Sequence, residues 1–121
     1  DLNNKIINKG VTKQFEQIEF TLKGKKKVHI VSSFSAINLS RDNGYLKIKL
    51  ILNNTVLQRE IFKYTNAFHY NAGIILPKGN YILTTIATSL NGTWCSCPET
   101  SNGFTTSRFI AKWEYNTHLR I

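Results

Sequence analysis

Apolar residues recur at every second position along most of this chain, and that period decides what it can fold into. In "YLKIKLIL", Leu46, Ile48, Leu50 and Leu52 point one way, and Tyr45, Lys47 and Lys49 the other. Side chains alternate sides in this way on a β-strand, leaving one face for a core and one for water. The same period runs through Gln14 to Leu22, where Ile18, Phe20 and Leu22 oppose Gln17, Glu19 and Thr21. It returns where Val28, Ile30 and Phe34 alternate with His29, Ser33 and Ser35. Near the C-terminal end, Phe109, Ala111, Trp113 and Tyr115 share a face opposite Lys112 and Glu114.

Turn signals separate these runs: "RDNG" at Arg41–Gly44, Asn53–Asn54 as a two-residue hairpin, and "PKGN" from Pro77 with Gly79 relieving the turn. No segment carries a capped helical stripe, although a short helical turn fits near Ile37–Arg41. Seven or eight strands with turns about every 8–12 residues predict an all-β fold, an antiparallel β-sandwich or a barrel. Residues 14–121 are expected to form this single domain. Residues 1–13, "DLNNKIINKGVTK", are polar and unpatterned and read as an arm or linker ordered by a partner.

The net charge of +9 comes from sixteen Lys and Arg against seven acids. It favours anionic partners, but the preferred reading is a basic, solubilising surface, because the only dense run is "KGKKK", Lys23–Lys27. Thirteen Asn and many Lys and Ile also fit an AT-rich gene. No apolar run approaches the roughly 20 residues of a membrane helix, so no transmembrane segment is expected. No secretory leader opens the chain, and the lack of any Met reads as a processed or excised piece.

Catalysis needs converging groups, and few are available. Glu16 and Glu19 are three apart and face opposite sides of a strand. Asp42 and Glu99 sit in turns, while Glu60 and Glu114 read as solvent-facing. There is no G-x-S-x-G, P-loop or H-E-x-x-H motif. A non-catalytic binding module is therefore expected. His29, His69 and His118 read as separate packing or surface residues. Cys95 and Cys97 lack both C-x2-C spacing and a second ligand pair, so no metal or cofactor is expected. Free thiols are preferred over a strained bridge.

Trp94 has two readings. It caps the core at one end of the sandwich, or its ring offers a stacking face beside the polar loop residues Thr93 and Glu99. The second reading makes Trp94, Thr93 and Glu99 candidate ligand contacts, joined by Tyr45 and Tyr70 from other edges. Tyr45, Lys47 and Lys49 are the nearest approach to a nucleic-acid surface, and no RNP-like motif accompanies them. The three N-x-S/T sequons, at Asn38, Asn53 and Asn91, match chance for this composition.

The segment "IILPKGNYILTTIAT", Ile74–Thr88, resembles the aliphatic-Leu-Pro-x-Gly-x-Tyr hairpin of jelly-roll domains. Such domains form viral and phage fibre tips and complement-type or tumour-necrosis-factor-like globular heads. "FTL", "LKIKLILNN" and "FIAKWEY" follow the same family pattern across roughly residues 15–116. The resemblance implies a jelly-roll-like sandwich that trimerises through aromatic strand faces and meets a receptor with its loops. The function it implies is a virion fibre or decoration domain binding a host glycan or protein receptor, at the virion surface or outside the cell. A secreted carbohydrate-binding or ligand-like module is the alternative, and a basic nucleic-acid-associated domain a second.

Overall fold

The computed structural model describes residues 6–38, 45–63, 65–95 and 108–121. Its strands are β1 (Ile6–Ile7), β2 (Thr12–Leu22), β3 (Lys26–Asn38), β4 (Tyr45–Leu52), β5 (Thr55–Lys63), β6 (Thr65–Leu76), β7 (Gly79–Asn91), β8 (Thr93–Cys95) and β9 (Arg108–Arg120). Among the described residues there are seven long strands and two short ones, and no helix. Ile37 and Asn38 close β3, and the rest of the expected helical turn lies outside the described residues.

Two sheets form, ordered β1-β8-β9-β3-β6 and β2-β7-β4-β5. The pairing has a simple logic. The first strand pairs with the eighth, the second with the seventh, the third with the sixth and the fourth with the fifth. The chain is thus one long antiparallel ribbon, folded back on itself at the Asn53–Asn54 turn. Rolling the ribbon adds β4 against β7 and β9 against β3, which makes the jelly-roll arrangement of two facing sheets. All pairs are antiparallel except β8 with β9.

The period-two residues fill the space between the sheets. Leu46, Ile48, Leu50 and Leu52 are buried, as are Val28, Ile30 and Phe34 from the facing sheet. Each such side chain contributes about 1.5–3 kcal/mol by leaving water. Buried hydroxyls are paired: Ser32 Oγ lies 2.9 Å from Thr117 Oγ1 across β3–β9. One residue breaks the alternation usefully. Gln14 and Glu16 oppose consecutive β7 residues, so Phe15 is the extra residue of a bulge and turns inward. Its ring meets Phe34 edge-on at 4.8 Å and Tyr115 at 5.5 Å.

The turns are built from local chemistry. Asn53 holds a positive φ of 53°. It joins β7 with two bonds: its N–H donates to Ile82 O (2.8 Å), and its Oδ1 accepts from Ile82 N–H (2.9 Å). Gly79, expected to relieve its turn, opens β7 without a left-handed φ. Instead, the Tyr81 hydroxyl donates to Pro77 O at 2.6 Å and ties that corner.

Residues 6–13 do not behave as a free arm. Ile6 and Ile7 pair with Cys95 and Trp94, and Ile7 is fully buried. Gly10 N–H donates to Ser89 O, and Ser89 N–H donates to Val11 O. Ser89 Oγ also donates to Gly92 O at 2.5 Å, beside the positive φ of Gly92. One buried serine therefore pins both connections that cross between the sheets at this end. Within the chain, β7 and β8 pair with this segment.

Candidate functional site: the outer face of β9, β3 and β6

Of the five residues expected to contact a ligand, the four that are described do not converge. Trp94 is fully buried opposite Ile7, so it offers no stacking face and belongs to the core. Thr93 is half-buried and donates to Asn8 Oδ1 at 3.5 Å. Tyr70 is half-buried on the inner face of β6 and packs against the core. Tyr45 is exposed, but on the other sheet, paired with Asn91. Glu99 and Cys97 lie outside the described residues.

A different surface gathers chemistry. In β3, the even positions Val28 to Phe34 turn inward, which sends His29, Val31, Ser33 and Ser35 outward. The long registers with β9 and β6 extend this pattern sideways. One row across the sheet is Arg120, His29 and Gly73; the next is His118, Val31 and Asn71; the third is Asn116, Ser33 and His69. Glu114 lies beyond, opposite Ser35. All three histidines of the chain therefore lie on one face, although the sequence scatters them over ninety positions.

The face is pre-organised. His29 Nε2 lies 2.6 Å from Asn71 Oδ1, and the imidazole donates there in the tautomer that carries its proton on Nε2. His118 is the diagonal neighbour of His29, about 7–8 Å away by sheet geometry. Ser33 Oγ donates to Asn116 O at 3.5 Å. Two open depressions mark the surface. One, about 460 Å³, is lined by His29, Val31, Asn71, His118, Leu119 and Arg120. The other, about 400 Å³, lies over Ser33, Ser35, His69, Glu114 and Asn116.

Among the described side chains, this face offers hydrogen bonds from amides, imidazoles and hydroxyls, with the guanidinium of Arg120 and the carboxylate of Glu114 near its ends. Glu114 and His69 stand two strands and one row apart, too far to share a proton. Among the described residues, no three His, Cys, Asp or Glu side chains cluster as metal ligands. Glu16 is half-buried with Oε1 shielded from solvent, while Glu19 is exposed on the opposite side of β2.

The second sheet presents another kind of surface. Ile82 and Val56 are exposed on its outer face, with Ile51 and Ile86 half-buried and Lys47 and Lys49 alongside. Phe15, Phe34, Phe68, Tyr81 and Trp94 are committed to the core, so none supplies an outward aromatic face for trimer packing. Among the described residues, no helix is long and apolar enough to cross a membrane.

Fold and face together define a two-sheet β-sandwich with a polar, imidazole-rich surface on one sheet. No family model matches the chain, and no curated protein matches it.

Proposed function

We propose that this chain is a non-catalytic attachment module, of the kind that forms a virion fibre tip or decoration domain. It works at the virion surface or outside the cell, and its β9–β3–β6 face meets a host-surface glycan or protein receptor. The observation that carries this reading is the register of three strands, which sets His29, His69, His118, Asn71 and Asn116 on one face. Amide and imidazole groups both donate and accept, which suits a ligand rich in hydroxyls. They stand on paired strands rather than a loop, so little ordering entropy is lost on binding.

Binding to host cells or a glycan array tests this. The double variant His69→Ala/Asn116→Ala removes two exposed side chains from the third row and is expected to weaken binding at least tenfold. Its stability should change by less than about 0.5 kcal/mol, as for other surface substitutions. Unaltered binding by the folded variant would remove the reading.

Self-association belongs to the same proposal. Three copies are expected, packed through the β2-β7-β4-β5 sheet, where Ile82 and Val56 are exposed. Sedimentation should then give three times the 13.8 kDa chain mass. A single-chain mass at micromolar concentration would rule the trimer out.

A further inference from the structure

The end of the sandwich where the β2–β3 and β6–β7 connections meet holds six of the described basic side chains. Lys23 and Lys25 lie in the first connection, Lys26 and Lys27 open β3, and Lys78 lies in the second connection. Arg120 closes β9 opposite His29. The pairs Leu22–Gly79 and Lys26–Leu76 set the two connections side by side. Charges far apart in sequence thus become one patch, and all six side chains are exposed.

The described acids stand away from it. Glu19 is three residues, roughly 10 Å, back along β2, and Glu114 is six residues, roughly 20 Å, back along β9. A patch of one sign raises the local concentration of anions and speeds their arrival.

Lys27 connects this end to the polar face. Gly73 lies on the outer side of β6, and a Cβ built there would come within 2.6 Å of Lys27 Cε and 3.6 Å of its Nζ. Glycine therefore leaves room for the lysine to lie across the strand, next to the row that holds His29 and Arg120.

We infer that this end binds a sulfated polysaccharide, an inference that rests on the attachment reading above. The anionic groups meet the lysines, and the sugar hydroxyls continue onto the β9–β3–β6 face. Lysines are point charges on flexible stems and tolerate the variable spacing of sulfates along a chain. A nucleic-acid strand would also want exposed aromatic rings on which to stack bases. Phe20 and Tyr81, the aromatics described near this end, instead stack on each other at 5.2 Å and 17°, with Tyr81 buried.

The test compares a heparin oligosaccharide, its fully desulfated counterpart and single-stranded DNA of equal charge. Each is titrated into the wild-type chain and into Lys25→Gln/Lys26→Gln/Lys27→Gln/Lys78→Gln. The sulfated chain should bind the variant at least tenfold more weakly. The slope of log affinity against log salt should fall by about one per lysine removed. Desulfation should abolish binding to the wild type. Unchanged affinity in the variant, or DNA bound as tightly as the sulfated chain, would overturn the inference. Host-cell binding that survives the lysine changes but is lost in His69→Ala/Asn116→Ala would overturn it too, leaving the attachment reading intact. Cell binding untouched by His69→Ala/Asn116→Ala would instead remove the attachment reading.

Discussion

Replacing Trp94 by alanine is expected to cost about 3–5 kcal/mol of folding stability, read as a lower denaturant midpoint at an unchanged slope. Trp94 is fully buried, and its strand partner Ile7 is as deeply enclosed. Removing an indole from such a place forfeits its transfer free energy and leaves a cavity that rigid strands cannot close. A domain of this size has about 5–15 kcal/mol in total, so the variant would keep a small margin or unfold. Trp94→Phe refills most of the space and should recover more than half of the loss. Ile7→Ala, truncating the other partner, should cost about 2–5 kcal/mol. A loss below about 1 kcal/mol for Trp94→Ala would mean that the ring faces solvent, and the loop would again be a candidate binding site.

The long strands were readable because each is wet on one side and dry on the other. In β4, every even residue is buried and no odd residue is, as its alternation requires. The same logic placed Ile18, Phe20 and Leu22 on the inner side of β2. It failed where an element is too short to show a period. β1 has two residues and β8 three, and neither can be told from a loop without its partner. That is why residues 6–13 looked like an arm. It failed again at Phe15, whose parity matches the exposed Gln17 and Glu19. Only the bulge opposite β7 turns that ring inward, and a bulge is a property of the pair of strands.

The proposed binding surface was harder to read than the fold, for a related reason. His29, His69 and His118 each look unremarkable in their own strands. They come onto one face through pairings that join β3 to residues roughly forty and ninety positions further on. One sequence carries no record of which strand lies beside which, so a surface assembled across three strands is invisible in it. The basic end was half legible. Lys23 to Lys27 are contiguous, but Lys78 and Arg120 join them only through the roll of the ribbon. Trp94 is a large aromatic beside polar neighbours, a pattern equally produced by the last core residue before a turn.

Phe34→Ala should be as damaging as Trp94→Ala, at about 3–5 kcal/mol, but with a second consequence. Phe34 is buried in the middle of β3, edge-on to Phe15 at 4.8 Å and stacked over Tyr115 at 6.2 Å. Phe15 comes from one sheet, and Phe34 and Tyr115 from the other, so the three rings clamp the sheets together. Such ring pairs add about 0.5–1.5 kcal/mol beyond their buried area. A double-mutant cycle between Phe15→Ala and Phe34→Ala should return a coupling of that size, and strictly additive losses would dissolve the clamp. The flanking Ser33 and Ser35 point outward onto the polar face, beside Asn116 and Glu114. Loosening Phe34 should therefore also disturb the rows that hold the proposed ligand. Trp94, which packs beside β1 at another place in the sheet, should leave those rows intact. Under conditions where both variants stay folded, ligand affinity is expected to fall for Phe34→Ala and to hold for Trp94→Ala. The reverse order would place the ligand on the β7–β8–β9 end of the sandwich instead.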